Sequence, residues 1–252
     1  MAAVFDRRRP SLESGVFETM LVLAGRPVEL DVHLARLGAS LAELFPEREV
    51  PALSGATTAR SAGMERGALR IAVAPAADGF EVEVVVREAP SPSGPVALHS
   101  IALDGGLGPH KWVDRALIEE TQALLPADAL PLIVDRDGTV LEASRANVFA
   151  VRDGALFTPP LDGRILPGVT RARILEIAAV LGLAVHQVGL SREDLHSADE
   201  VLLTGSVRGV ERARALDGVR LEQKGEVGAR LSVELRQAPH PGGSLKSSSL
   251  TR

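Results

Sequence analysis

The first strongly patterned stretch is GVFETMLVLAG (Gly15–Gly25), rich in Val, Leu and Phe, with RPVEL following a Gly turn. Two such runs about a short turn predict a β-hairpin. In DVHLARLGASLAELF (Asp31–Phe45), Leu34, Leu37, Leu41, Leu44 and Phe45 recur at helical spacing. That spacing predicts an amphipathic helix with Asp31 as its N-cap. Arg36 interrupts the apolar face, where an arginine either snorkels to solvent or binds an anion. ALRIAVAP and FEVEVVVREA (Phe80–Ala89) predict strands, the second alternating between apolar and charged residues. APSPSGP (Ala89–Pro95) has the composition of a linker.

VALHSIAL predicts another strand, followed by the loop GLGPHKWVDR and a helix over Val113–Leu125. PLIVDRDGTVLEA reads as strand, Asp-Gly turn and strand, and NVFAVRDGALFTP repeats that arrangement. ILPGVTRARILEIAAVLG (Ile165–Gly182) is a strand end, a Pro-Gly turn and a helix with Ile174, Ile177, Ala178 and Leu181 on one face. ADEVLLTG is a strand leading to the turn SVRGV, and a final helix covers Val227–Gln237. The tail APHPGGSLKSSSLTR has little to bury, which predicts disorder over residues 238–252. No internal repeat is present. The sum is an α+β (mixed α/β) chain: a small N-terminal domain over residues 1–88, a linker over 89–96, and a larger domain over 97–237 with mostly antiparallel strands.

Composition narrows the function. The 252 residues suffice for one large or two modest domains, and 45% hydrophobic residues can fill a core. A net charge of −5 argues against a dedicated nucleic-acid binder, and Arg7–Arg8–Arg9 reads as a solvated terminus. Without Cys, disulfides, zinc–thiolate sites and thiol nucleophiles are excluded. No signal-peptide core is visible and no run approaches the ~20 apolar residues of a membrane span. The expectation is a soluble, cytoplasmic protein without membrane or nucleic-acid partners. The six His residues show no metal-ligand spacing and read as structural or surface groups. No P-loop, GxGxxG or GxSxG appears.

Several residues could carry chemistry. Lys111 lies in a Gly- and Pro-containing loop beside Trp112, the only Trp. Such a lysine is either solvated or an amine held for covalent work. GVT (Gly168–Thr170) precedes a helix whose N-terminus would attract phosphate, although Thr170 also suits a plain N-cap. TGSVRG (Thr204–Gly209) is a second small-residue turn with hydroxyls. Glu142 lies between apolar neighbours; it is either surface-facing or a buried carboxylate needing a cationic partner.

The order of GVFETMLV, HLARL, HKWVDR, LEASRANVFAV, GALFTPP, GRILPGVTR and ADEVLLTGS resembles the class IV aminotransferase family, the fold-type-IV pyridoxal-phosphate enzymes. The resemblance spans about Gly15 to Gly218. It implies a two-domain fold with the cofactor between the domains, a homodimer, and a small-molecule amine or amino-acid substrate. Lys111 corresponds to the lysine that forms the Schiff base with pyridoxal 5'-phosphate, and Glu142 to the carboxylate facing the pyridine nitrogen. The resemblance places the phosphate against Arg36, the Gly168–Val169–Thr170 turn and Ser206, and packs Leu166 on a cofactor face. Asn147 takes a structural role. Arg145, Val207 and Arg208 become candidates for substrate binding.

Two features depart from the family. A further strand and loop normally lie upstream, whereas here fourteen residues precede Gly15, so the first hairpin is expected to be incomplete or rebuilt. Arg145 stands where relatives carry Gly or Ser, and could clash, point away or bind a carboxylate. Within the family, the fifth residue after Lys111 is Ala116, not the aromatic residue of branched-chain aminotransferases. KWVDR is similar to the K-x-x-N-R of aminodeoxychorismate lyases, which implies conversion of 4-amino-4-deoxychorismate to 4-aminobenzoate and pyruvate. The alternatives are a transaminase for branched-chain or D-amino acids, and a non-catalytic cofactor-binding protein. Arg115 is either a substrate ligand or an exposed helix residue, and helical geometry alone predicts exposure.

Overall fold

The computed structural model describes residues 10–90 and 94–237. The Arg7–Arg9 run, the centre of the predicted linker and the C-terminal tail lie outside the described residues. The first half contains β1 (Val16–Leu23), β2 (Arg26–Pro27), α1 (Leu30–Leu44), α2 (Ser54–Ser61), β3 (Arg66–Ala76) and β4 (Gly79–Glu88). They form an antiparallel sheet in the order β2-β1-β3-β4. Alternation places Val16, Met20 and Val22 of β1 and Leu69, Ile71 and Val73 of β3 on the face that meets Leu37 and Leu41 of α1. Glu18 takes an inward position in the same row and is 1% exposed. The predicted hairpin and first helix are present, but α1 begins at Leu30 after Glu29, so Asp31 lies in the first turn and is not the N-cap.

The second half contains β5 (Val96–Ala102), α3 (Ala116–Ala123), β6 (Ala129–Val134), β7 (Val140–Ala143), β8 (Ala146–Arg152) and β9 (Ala155–Thr158). It continues with α4 (Val169–Val180), β10 (Val185–Gln187), α5 (Arg192–His196), β11 (Glu200–Gly205), β12 (Gly209–Leu216), β13 (Val219–Arg220) and α6 (Val227–Gln237). The strands run in the order β10-β9-β8-β11-β12-β5-β6-β7, with β13 on β12. A further pairing of β7 with β8 closes a ring. Pairings β9–β10, β5–β12 and β5–β6 are parallel, and the remainder are antiparallel.

Leu98, Leu132, Val140, Val148, Leu203 and Ala213, one from each strand of the ring, belong to a single buried cluster. On the other face Phe149 and Leu202 pack with Ile174 of α4 and Leu231 of α6, and Ile133 and Leu141 pack with Ile118 of α3. The helix expected over Val113–Leu125 is shorter, because the preceding backbone joins the other sheet. Phe17 N–H donates to Lys111 O (2.8 Å) and Val113 N–H donates to Gly15 O (3.0 Å). The lysine loop thus extends the free edge of β1, and its peptide groups are satisfied there instead of in a helix.

Candidate active site

A cavity of about 520 Å³ opens between the two sheets. Its walls are Phe17, Thr19 and Arg70 of the small sheet, Arg36 of α1, the lysine loop, the β7–β8 turn, the start of α4 and the turn after β11. Lys111 is held to β1 by its own carbonyl, and its side chain makes no hydrogen bond or ion pair with the described residues. Its ammonium group sits 4.9 Å from the Phe17 ring centre. Burial pushes its pKa down to about 8; Arg36 and Arg115 add to that effect, and Glu18 and Glu142 oppose it. An amine in that range is partly unprotonated near neutral pH, as a nucleophile or proton carrier requires.

Glu142 is 4% exposed, so the surface-facing alternative fails. Its carboxyl oxygens accept the Leu166 N–H (3.3 Å), and Oε2 also accepts Asn147 Nδ2–H (3.3 Å). Burial raises the Glu142 pKa to about 8, against the Leu166 N–H and the charges of Lys111, Arg115 and Arg36. Asn147 also donates to Leu166 O (2.9 Å), tying β8 to the loop before α4. Gly168 is required by this packing: a Cβ there would lie 2.0 Å from Asn147 Oδ1.

The residues expected to hold an anion lie at one cavity wall, with one correction to the helix start. Helix α4 starts at Val169 with Gly168 as N-cap, so Thr170 lies inside the first turn and does not cap it. Gly168, Val169, Thr170, Ser206 and Arg36 all border the cavity, as do Leu166, Val207 and Arg208. Thr170 Oγ1–H approaches Ser206 Oγ at 3.4 Å. Arg36 is fixed before any ligand arrives: Nε and Nη2 donate to Glu18 (2.7 and 2.9 Å), and Nη1 donates to Pro167 O (2.7 Å). His33 Nδ1–H donates to the same carboxylate at 2.7 Å. Burial alone would raise the Glu18 pKa, but the His33 and Arg36 interactions overcome it and hold the group near 2.

Arg145 neither clashes nor hangs free, since its Nη1 and Nη2 donate to Glu211 (2.7 and 3.3 Å) beside Arg208. Arg115 is not exposed. It precedes the first helical residue, so a helical wheel does not apply to it; its side chain lines the cavity and donates to Ser144 O at 2.5 Å. Sequence reasoning also missed Glu18, Phe17, Arg70 and Thr204. For Glu18 the signal was available, as an acid at an inward position of an alternating strand. Arg70 lies over the Phe17 ring, 4.0 Å from its centre.

The class IV amino-transferase family profile matches residues 15–216 of this chain. The chain belongs to the class IV aminotransferase family. Its fold is that of 4-amino-4-deoxychorismate lyase from Pseudomonas aeruginosa, with TM-score 0.79, 28% identity and coverage of 90% of this chain and 91% of that one. A hypothetical aminotransferase from Mycobacterium tuberculosis in its PLP-bound form matches with TM-score 0.76, 26% identity and 88% coverage of each chain. By sequence, the branched-chain-amino-acid aminotransferase of Escherichia coli K12 is 40% identical over 90 residues, which is 36% of this chain and 29% of that relative's length.

As a member of this family the protein is a fold-type-IV enzyme whose cofactor is pyridoxal phosphate. The cavity fits that group. It offers a half-buried amine, a buried carboxyl and the uncapped amides of α4. Thr204 Oγ1 is buried at its wall without a protein partner. Among the described residues no cluster of potential metal ligands is present, and no helix is long and apolar enough to cross a membrane.

Proposed function

We propose that the protein is a lyase that converts 4-amino-4-deoxychorismate to 4-aminobenzoate and pyruvate. The observation that carries this reading is the arginine content of the cavity wall: Arg70, Arg115, Arg145 and Arg208 line it beside a single half-buried amine, Arg145 and Arg208 sharing Glu211. Arginine presents paired donors to carboxylates, so such a wall suits a substrate with two of them. Likeness to the Pseudomonas lyase over nearly the full length of both chains supports the same choice.

In this reading Lys111 holds the cofactor, then takes the proton from the substrate carbon bearing the amine and helps the three-carbon unit depart. Arg36, the Val169 and Thr170 amides and Ser206 hold the phosphate, Leu166 packs on the ring, and Glu142 holds a proton toward the ring nitrogen. Bound pyridoxal phosphate supplies an electron sink for the charge that develops at the substrate carbon. The protein works as a cytoplasmic homodimer: the small-sheet face opposite α1 carries partly exposed Leu21, Ala68, Ala72 and Val85, a surface suited to a second copy.

A transaminase for branched-chain or D-amino acids is the second reading, favoured by the identity to branched-chain aminotransferases. One experiment separates them. The protein with its cofactor is mixed with 4-amino-4-deoxychorismate and, separately, with L-leucine, D-alanine or L-glutamate. Release of 4-aminobenzoate with the visible cofactor band retained supports the lyase. Bleaching of the band by an amino acid, with no 4-aminobenzoate, establishes the transaminase. A protein that binds cofactor and does neither is a non-catalytic binder.

A further inference from the structure

The charges that bear on the Lys111 amine are Glu18, Arg36, Arg115 and Glu142. Arg36 is neutralised by Glu18, which it meets through Nε and Nη2. Arg115 is different. Among the described residues no carboxylate lies within ion-pair distance of it; Glu142 and Glu119 act on it only from farther off, and the one hydrogen bond of its guanidinium goes to the Ser144 carbonyl. Neighbouring Asp114 accepts instead from the Ser11 and Ala116 amides. A guanidinium has five N–H donors and stays charged at all working pH values, so holding it half-buried with one hydrogen bond and no paired carboxylate leaves donors for an anion.

The remaining cavity arginines are placed otherwise. Arg145 and Arg208 share Glu211. Arg70 is spread over Phe17 and is not among the charged neighbours of Lys111. A carboxylate attached close to the reacting amine of a substrate must come to rest close to Lys111. We propose that Arg115 is the residue that binds this substrate carboxylate, whether it is the α-carboxylate of an amino acid or the one on the departing unit of the lyase substrate. The inference rests on the reading that Lys111 is the reacting amine, and it holds for either reaction. It makes Arg115 a specificity-determining residue, with Ser144 O fixing its guanidinium.

Trp112, the only Trp in the chain, lines the same cavity and reports binding by its fluorescence. The probes are 4-methylvalerate and its neutral amide, neither of which has an amine to react, titrated into the cofactor-loaded protein. The wild type should bind the carboxylate about tenfold or more tightly than the amide, since one charged hydrogen-bonded contact is of that order. Arg115→Gln should remove that preference while leaving amide affinity unchanged. Arg115→Lys should keep part of it, and decides the matter if the Gln variant does not fold. Unchanged preference in Arg115→Gln, or in Arg115→Lys when only that variant folds, overturns the proposal. Equal weakening of both probes, or loss of the preference in Arg70→Gln and not in Arg115→Gln, also overturns it. A protein that shows the Arg115-dependent preference yet releases no 4-aminobenzoate refutes the lyase reading alone.

Discussion

Replacing Glu18 by Gln tests whether the small sheet and the cofactor cavity are held together by one buried ion cluster. Glu18 is 1% exposed and accepts bonds from His33 and twice from Arg36, which is itself only 12% exposed. Its carboxyl is lowered from 4.5 to about 2. At 1.36 kcal/mol per unit, that difference amounts to about 3 kcal/mol in favour of the folded state. A lowered carboxyl stabilises at pH values above its unfolded pKa, so the contribution is complete above about pH 4.5 and is lost as pH falls toward about 2. The glutamine keeps the shape, but its NH2 must face one of the donors, and Arg36 is left charged without a counter-ion. Losses of about 3–5 kcal/mol accompany removal of one partner from a buried pair.

The assay is urea unfolding of the cofactor-free protein at pH 7, 5.5 and 3. The variant should be about 3 kcal/mol less stable at pH 7, a large part of the ~5–15 kcal/mol of an ordinary domain. The gap should narrow by pH 3, where the wild-type carboxylate begins to take up its proton. Because Arg36 also reaches Pro167 O, just before α4, the variant should bind pyridoxal phosphate more weakly as well. A difference below about 1 kcal/mol at pH 7, or one that does not change down to pH 3, would refute the assignment of the cluster as a charged support.

Three further outcomes are expected. Lys111→Met should raise the stability of the cofactor-free protein by roughly 1–3 kcal/mol at pH 7, since burial of a charged amine is removed; the wild type recovers as pH rises from about 8 toward 10.5, so urea midpoints of the two should converge there. Gly168→Ala should lower stability by about 1–3 kcal/mol in thermal unfolding, because the new Cβ meets Asn147 Oδ1 at 2.0 Å and breaks the Asn147 link to Glu142 and Leu166. Thr204→Val should leave the cofactor-free protein unchanged or stabilise it by up to ~1 kcal/mol, since Oγ1 has no protein partner, while weakening cofactor binding measured by absorbance titration.

The chemistry-bearing turns were legible in the sequence because they need particular residue types at particular points: Gly168 before a helix, a hydroxyl after a strand, a lysine in a loop. The ring of strands was not. Its closure depends on β7 meeting β8 and β12 meeting β5, and the β12–β5 pairing joins residues more than a hundred positions apart, as with Ala215 and Ala97. Local alternation predicts that a strand exists, and it carries no information about which distant strand it will meet. The shortened third helix has the same origin. VDRALIEETQ is compatible with a helix throughout, but the competing bonds, Phe17 N–H to Lys111 O and Val113 N–H to Gly15 O, are longer in range than any sequence window.

Glu18 and Arg115 show how the missed charges could have been found. Both are charged residues that local pattern would assign to solvent or pass over; Glu18 is buried and Arg115 is half-buried at the cavity wall. In β1 the period of two runs Val16, Glu18, Met20, Val22, so the pattern itself puts an acid in the core row and demands a cation opposite; His33 and Arg36, three positions apart on α1, supply donors on one helical face. Among the described residues Arg115 has no such ion-paired partner, and Glu142 and Glu119 act on it only from farther off. The two cases differ: Glu18 has a complete set of partners and holds the small sheet to α1, whereas the Arg115 guanidinium keeps donors beyond its bond to Ser144 O. Through Glu18 the small sheet holds Arg36 at the cavity wall, against Pro167 O just before α4. Beside Lys111, Arg115 remains as the cation with donors to offer a substrate carboxylate.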